Sequence, residues 1–294
     1  MKKTADKIRH VGLIGNPDKA LCGHAVKRAA KLIRATGRKL FTEPVTARLA
    51  KINATICADA KQLARDVDLL IVFGGDGTML RVARDTAGVA TPMLGINIGG
   101  LGFLTAVPSD QLEQALKLIW EGGFKFERRA LIEATTRVGG KSIRQLALND
   151  IVIGRGEVAR LIDLEVDVNA DPLTRYRCDG LIVSSPTGST AYSLAAGGAV
   201  VLPTADVFAL TPICPHTLSN RSLIVPLNAT IRIKPVSERT ATILSADGEV
   251  ISELSPGDVV TVRRGRHSVK LMHLADSSFF KALRRKLQWR GAYL

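Results

Sequence analysis

The stretch Val67-Asp68-Leu69-Leu70-Ile71-Val72-Phe73-Gly74-Gly75-Asp76-Gly77-Thr78 decides how the first half of the chain is read. Its opening residues, through Phe73, are almost continuously apolar, as expected of a parallel strand buried on both faces. Three glycines around one aspartate follow, and they allow a tight turn whose backbone N–H groups face outward. Leu80 to Thr86 then has helical spacing, so a positive helix N-terminus would face the same loop. Strand, glycine loop and helix in that order suit a phosphate. No Lys-Ser or Lys-Thr closes a G-x-x-x-x-G spacing, so this is not a Walker loop. Asp76 is the wrong group to hold phosphate passively. It is the right group to take a proton from an attacking hydroxyl or to hold magnesium. An ordinary Asp-Gly turn at a strand end has the same composition, and the loop alone leaves both readings open.

Working outward, His10 to Gly15 is a short strand ending at Asn16-Pro17, and Lys19 to Thr36 carries Val26, Ala29, Ala30 and Ile33 at helical spacing. Lys39 to Glu43 and Pro92 to Ile96 read as further strands. This β-α-β-α order argues an open α/β sheet. A second glycine turn, Gly99-Gly100-Leu101-Gly102-Phe103, follows the Pro92–Ile96 strand. Parallel strands end on one edge, so the two turns are expected to line one crevice. Ser109 is placed to cap a helix through Leu112, Leu116 and Trp120. Beyond it the pattern becomes β. Ala130–Val138, Gly139-Gly140 and Ser142–Leu148 read as a hairpin, Leu161–Val168, Thr230–Pro235 and Val259–Val262 alternate, and Asp247-Gly248 is a hairpin turn. Ser278 to Trp289 returns to helical spacing, with Phe280, Leu283 and Leu287 on one side.

The chain has 294 residues, enough for two modest domains. Its 41 Lys and Arg against 27 Asp and Glu give +14, and the sequence pI is near 10.0. Hydrophobic residues at 46 % and charged residues at 23 % exclude wholesale disorder. No apolar run approaches the ~20 residues of a helical membrane span. The basic start Met1-Lys2-Lys3-Thr4 lacks an apolar region behind it, which argues against a secretory signal. Cys22, Cys57, Cys178 and Cys214 are too far apart for a zinc site or a disulfide framework. A soluble, cytoplasmic protein is expected. The basic excess suits nucleic acid or polyphosphorylated small molecules equally. An aromatic content of 4 % leaves few stacking platforms, which favours the small molecules.

A second loop, Asp179-Gly180-Leu181-Ile182-Val183-Ser184-Ser185-Pro186-Thr187-Gly188-Ser189-Thr190-Ala191-Tyr192, leads from a strand into a small-residue helix. Thr187, Ser189 and Thr190 are expected to cap that helix or offer hydroxyls to an anion, and Tyr192 offers a face to a flat ring. Asn149-Asp150 ends a β run with an amide and a carboxylate. Asp163, Glu165 and Asp167 share one strand face, read as solvated. Gly154-Arg155-Gly156-Glu157-Val158-Ala159 matches G-x-G-x-x-A in letters, but an alternating strand follows where a dinucleotide fingerprint needs a helix. His10, His24, His216, His267 and His273 have no metal-ligand spacing.

In order, Gly74-Gly75-Asp76-Gly77-Thr78, Leu148-Asn149-Asp150, the run from Asp179 to Tyr192, and Pro215-His216-Thr217-Leu218-Ser219 resemble NAD kinases of bacterial type. The tail Phe279-Phe280…Leu287-Gln288-Trp289 resembles theirs too. The likeness runs from about residue 10 to 290. The resemblance implies an α/β nucleotide-binding domain over 1–125, a mainly β, sandwich-like NAD-binding domain over 126–275, and a C-terminal helix in 276–294 returning to the first domain. It implies a homodimer or homotetramer with the NAD site between domains and near a subunit interface. The activity implied is magnesium-dependent transfer of the γ-phosphoryl group of ATP to the 2′-hydroxyl of the adenosine ribose of NAD, giving NADP. NAD and ATP would be its partners, without nucleic acid or membrane.

Carried across position by position, Asp76 would be the general base and Gly77 part of the nucleotide loop. Arg81 and Arg160 match contact positions. Asn149 and Asp150 would bind the adenosine portion, and Thr190, Ala191, Tyr192, Ser193, Leu194 and Ala195 would surround the adenine. Arg177 and Asp179 would meet the nicotinamide side or a neighbouring subunit's ligand. One position departs: Asp247-Gly248-Glu249 stands where the family commonly has Asp-Gly-Gln, so Glu249 puts a carboxylate at a position expected to touch NAD. Asp150 stands where many members have Glu. Two other readings are a lipid kinase of diacylglycerol kinase type, which shares the Gly-Gly-Asp-Gly-Thr loop, and a non-catalytic NAD(H)-binding regulator.

Overall fold

A computed structural model describes residues 5–100, 102–105, 107–158, 160–217, 221–237 and 240–289. The chain divides into two compact units, residues 1–128 with 269–294, and residues 129–268.

The first unit is built on parallel strands. β1 (His10–Gly15), β2 (Lys39–Thr42), β3 (Thr55–Ile56), β4 (Leu69–Gly74), β5 (Met93–Asn97) and β6 (Val107–Pro108) pair in the order β6-β5-β4-β1-β2-β3. Every residue of β4 is buried, which is why its sequence reads as an unbroken apolar run. Helices cross between them: α1 (Cys22–Arg34), α2 (Pro44–Ala50), α3 (Ala60–Asp66), α4 (Asp76–Asp85) and α5 (Leu112–Trp120). α1 packs Val26, Ala29, Ala30 and Ile33 into a core with Leu13, Ile71 and Phe73.

Three expectations need correction here. α4 begins at Asp76, inside the glycine run, with Gly75 in extended conformation as its N-cap; the acid in the first turn offsets the helix dipole and outweighs the poor helix propensity of Gly77. Ser109 caps nothing: it opens a 3-10 turn, Ser109–Gln111, and no side-chain cap bond starts α5. α2 and α3 lie in a stretch where no helix was expected. Their starts are nevertheless conventional, with Pro44 at the first turn of one and the Asp59 carboxylate accepting from the Gln62 N–H at 2.7 Å at the other.

The second unit is β-rich. β7 (Phe124–Val138) and β8 (Lys141–Ala147) form a hairpin through Gly139-Gly140, both at positive φ. β9 (Asp150–Arg155), β10 (Ile162–Val168), β11 (Asp171–Cys178) and β12 (Gly180–Ser184) come next. A 3-10 turn, Gly188–Thr190, leads into the short α6 (Tyr192–Ala195). β13 (Val207–Ile213), β14 (Leu223–Pro226), β15 (Ile231–Pro235), β16 (Thr242–Ala246), β17 (Glu249–Leu254) and β18 (Val260–Leu274) complete it. One antiparallel sheet runs β14-β13-β12-β9-β16-β17. Across its buried face from β10, β11 and β15, it shares a core that includes Ile153, Leu181, Phe208, Leu164 and Ile233. The alternation read over Leu161–Val168 is this inward and outward pattern. Asp163 and Glu165, on the outward side, pair with Arg175 at 3.5 Å and Lys234 at 3.2 Å.

The chain then re-enters the first unit, where Leu271 of β18 pairs with Met93 of β5. α7 (Phe279–Leu287) follows, belonging to the same unit. Its buried residue is Leu283, and the Phe279 ring lies 6.2 Å from that of Phe103. Phe280, expected beside Leu283, is exposed.

Because β4 is shielded on both faces, truncating its centre leaves a cavity that its neighbours cannot close. Ile71→Ala is expected to cost ~2–5 kcal/mol, read as a lower denaturant midpoint at unchanged slope.

Candidate active site

β4 and β5 end side by side, and the two glycine turns that follow them meet through Asp76. One carboxylate oxygen, Oδ1, accepts from the N–H groups of Leu104 at 3.0 Å and Thr105 at 3.1 Å and from the Thr105 hydroxyl at 3.1 Å. The other, Oδ2, accepts from the Phe103 N–H at 2.8 Å. Asn97, 4 % exposed, donates to the Thr105 hydroxyl at 2.8 Å and the Gly100 carbonyl at 2.7 Å, bracing the same turn. Gly102 is required where it lies, since a Cβ there would collide with the Asp76 carboxylate. The expected common edge is therefore present in the first unit, although Leu101 falls outside the described residues. A carboxylate has roughly four lone-pair sites, and Oδ2 carries one bond to protein. It is the oxygen free to take a proton.

Two residues that sequence reading passed over complete this edge. Asn16 follows β1, and its Nδ2 donates to the Thr78 hydroxyl at 3.1 Å. Lys19 donates from Nζ to the Ile98 carbonyl at 2.6 Å. The signal was Asn16-Pro17-Asp18-Lys19 at the end of a parallel strand. Gly77 is exposed, with open space where a Cβ would lie. Arg81, one turn along α4, forms an exposed pair with Asp85 at 3.5 Å.

In the second unit a second aspartate organises a loop in the same manner. The Asp247 carboxylate accepts from the N–H groups of Leu148 at 3.0 Å, Asn149 at 2.7 Å and Asp150 at 3.3 Å. Asp247 and Gly248 form the turn between β16 and β17, both at positive φ. The Asn149 carbonyl accepts from the Ser185 N–H at 2.8 Å, and Gly188 packs against Asn149 so closely that any Cβ would strike its backbone. Asn149-Asp150, Asp247 and the start of the Ser185–Ser189 loop thus form one cluster. Asp150 is 4 % exposed. Burial, and then the neighbouring Asp247 charge, push its carboxyl up to about 7.

The hydroxyl loop differs from expectation. Thr187, Ser189 and Thr190 cap no helix through their side chains. Ser189 donates to the Pro186 carbonyl at 2.8 Å, Thr190 to the Thr187 carbonyl at 3.4 Å, and Thr187 accepts from the buried Arg129 at 3.3 Å. Each of these hydroxyls has a protein partner that helps hold the loop's shape. Ser193 is likewise turned inward, 2.9 Å from the Thr211 hydroxyl.

Tyr192 is 47 % exposed and presents its ring as expected. It lines a groove of about 430 Å³ with Arg155, Asp179, Ile213, Gly248 and Val250, where Asp179 pairs with Arg155 at 3.1 Å. Ala191 and Leu194 flank Tyr192 in the same short helical turn, which ends at Ala195. Arg160 and Arg177 lie apart from that groove, lining another of about 590 Å³ with Asp163 and Ser237. Glu249 is exposed at the first position of β17, opposite Ala246. His216 is exposed, its N–H donating to the Arg177 carbonyl at 2.8 Å. Leu218 and Ser219 of that motif lie outside the described residues. Among the described residues no group of three His, Cys, Asp or Glu side chains is arranged to hold a metal ion.

The chain is similar to known proteins in sequence and fold. The family model described as the ATP-NAD kinase N-terminal domain matches residues 11–124, and the one described as the ATP-NAD kinase C-terminal domain matches residues 148–274. The chain is similar to the NAD kinase of Symbiobacterium thermophilum, at 41 % identity over 94 % of this chain and 97 % of that protein. It is similar to the NAD kinase of Sulfurimonas denitrificans at 36 % identity, over 96 % and 98 %. Among solved structures, yeast NADH kinase complexed with NADH superposes with a TM-score of 0.86 at 26 % identity, over 98 % of this chain and 89 % of that one. An NAD kinase from Archaeoglobus fulgidus in complex with ATP shares the fold, with a TM-score of 0.74 at 24 % identity, over 96 % and 100 %.

The Asp150 carboxyl sets a pH dependence. Its folded value of about 7 lies above the ordinary 3.8, so the folded state holds the extra proton between those values. The stability this contributes is complete at low pH and fades as pH rises through about 7. Asp150→Asn, which cannot ionise, should remove that decline. Relative to the parent, the variant is expected to gain on the order of 2 kcal/mol between pH 5 and pH 8, measured by urea denaturation at both.

Proposed function

The chain belongs to the ATP-NAD kinase family, and from that premise we propose how its own residues carry the reaction. It is a phosphotransferase with NAD kinase activity. Neither the lipid kinase nor the regulator reading is supported by these relatives. The donor in this reading is ATP, as the family description states, entering as its magnesium complex. The acceptor is the 2′-hydroxyl of the adenosine ribose, and the product is NADP. The yeast neighbour's complex with NADH supports a nicotinamide dinucleotide as acceptor. Cytoplasmic location and assembly as a homodimer or homotetramer complete the reading, on the family resemblance.

The observation that carries the mechanism is Asp76 Oδ2, which keeps a lone pair while the rest of the carboxylate is fixed by Phe103, Leu104 and Thr105. A base held this firmly needs no reorganisation when the hydroxyl arrives. It orients the ribose oxygen and accepts its proton as the O–P bond forms and the bond to the β-phosphate breaks. The donor's phosphates would hold magnesium, which would supply charge neutralisation there, since the described residues offer no carboxylate cage for it. Asn149 and Asp150 hold the adenosine half, with Asp150 able to donate as a neutral acid or accept as an anion. The exposed Tyr192 ring stacks on the adenine, with Thr190, Ala191, Ser193, Leu194 and Ala195 shaping the turn around it. Gly77 leaves room for the nucleotide, Arg81 and Arg160 add positive charge, and Arg177 and Asp179 meet the nicotinamide side.

Purified protein with ATP, magnesium and NAD is expected to yield NADP, and to leave diacylglycerol in mixed micelles unphosphorylated; lipid product without NADP would reverse the assignment. Asp76→Asn should lower turnover by roughly two orders of magnitude or more. Its amide oxygen can keep the bonds made by Oδ1, so NAD affinity should stay within a few-fold, and near-normal turnover in folded protein would remove Asp76 from the mechanism. Glu249→Gln replaces an exposed acceptor by a group that also donates. It is expected to change the KM for NAD modestly and kcat little, whereas a large fall in kcat would place Glu249 at the reacting centre.

A further inference from the structure

In the first unit β1 lies between β4 and β2. The chain winds from β1 toward β2 and β3 on one side, then returns to β4 and β5 on the other. The ends of β1 and β4 therefore flank the point where the winding reverses, and open parallel sheets receive ligands outside the carboxyl ends of their strands at that point. Lys19 stands there. It follows β1, its Nζ donates to the Ile98 carbonyl just past β5, and it approaches both glycine turns. A Cβ built on Gly99 would meet Nζ at 3.2 Å, and one built on Gly75 would meet it at 3.6 Å. Three strand ends thus share one ammonium.

The turn that carries Lys19 is itself fixed. The Asn16 N–H donates to the Phe73 carbonyl at 2.9 Å, Asn16 Nδ2 donates to the Thr78 hydroxyl at 3.1 Å, and the Lys19 carbonyl accepts from the Cys22 N–H at 2.9 Å. Among the described residues no carboxylate forms an ion pair with Lys19, and the Ile98 carbonyl is the one acceptor bonded to its ammonium. That carbonyl positions the charge without neutralising it. A lysine ammonium has three N–H groups, so two remain for a ligand. Glycine at 75 and 99 keeps the space beside it clear of side chains.

We propose that Lys19 is a further catalytic residue, its ammonium contacting the donor's polyphosphate where the two glycine turns meet. The proposal rests on the kinase reading above. As the ribose oxygen attacks, its proton passes to Asp76, the new O–P bond forms, and the bond to the β-phosphate oxygen breaks with its electrons leaving on ADP. The Lys19 ammonium offsets the charge that gathers on the phosphoryl oxygens. A lysine acts on phosphate as a point charge, and a charge already fixed where negative charge gathers stabilises the transition state without reorganising during the reaction.

The test uses the full chain with ATP, magnesium and NAD, and the variants Lys19→Met, Lys19→Gln and Lys19→Arg. Glutamine retains an N–H for the Ile98 carbonyl while removing the charge, so it separates charge from folding. Lys19→Met and Lys19→Gln are expected to lower kcat/KM for ATP by about 10²–10³-fold, with the KM for NAD within three-fold and Tm unchanged for Lys19→Gln. Lys19→Arg should recover at least a tenth of the parent value. Calorimetric titration of each protein with magnesium-ATP, without NAD, gives an independent readout, and the Gln variant should bind at least ten-fold more weakly. Parent-like kcat/KM for ATP in folded Lys19→Gln would overturn the proposal, as would equal losses toward ATP and NAD accompanied by a lower Tm. If the parent makes no NADP, the kinase reading fails, yet weaker ATP binding by Lys19→Gln would still uphold the phosphate contact.

Discussion

A single carboxylate that gathers consecutive backbone N–H groups is the constraint on which the first unit's site depends. Without Asp76, the turn after β5 would expose the amides of Phe103, Leu104 and Thr105 with no partner in a sheet or helix. With it, two glycine turns that are separate in sequence become one rigid edge. The burial of β4 serves the same end, because a strand shielded on both faces delivers its C-terminal glycines to a fixed point. Packing thus sets where the edge lies, and one charged group sets its shape. The chemistry assigned to Asp76 uses what that arrangement leaves over.

The second unit applies the same device at Asp247, and there it has a cost. The charge that draws in the amides of Leu148, Asn149 and Asp150 also lies beside the buried carboxyl of Asp150. Ordering the loop and ionising Asp150 are opposed. The result is a side chain whose proton is exchanged near neutral pH, at a position we propose for dinucleotide binding. A carboxyl there can meet a ligand as donor or acceptor, whereas a solvated aspartate could only accept.

Much of this was legible in the sequence, for physical reasons. Continuous apolar runs locate β1, β4 and β5 because such strands are buried on both faces, and Gly139-Gly140 and Asp247-Gly248 locate hairpins because both turns need positive φ. The motifs that resemble NAD kinases gave the family, which the family models and relatives show. What the sequence concealed was partnership. Nothing in Asp76's neighbourhood announces that its oxygens answer amides 27 to 29 positions away, or that Asp247 does the same for residues almost a hundred positions earlier. The hydroxyls of Thr187, Ser189 and Thr190 looked available because composition does not say which are already bonded. Lys19 was overlooked because a lysine on a short loop resembles any other surface lysine until the Ile98 carbonyl is placed beside it.

Apart from the Thr105 hydroxyl, the two aspartate clamps read main chain, and this partly separates shape from identity along the loops they hold. Every residue except proline offers the same N–H, so the hold of the carboxylates on the amides of 103–105 and of 148–150 is indifferent to what projects from the backbone. The clamps therefore make no demand on the side chain at 149, whereas Phe103 and Leu104 answer to packing as well, one against Phe279 and the other by its burial. Proline is the substituent such a frame refuses, since it removes the donor that the carboxylate holds. Ligand preference in a fold of this kind is thus open to change by single substitutions, while the two aspartates that hold the frame are not.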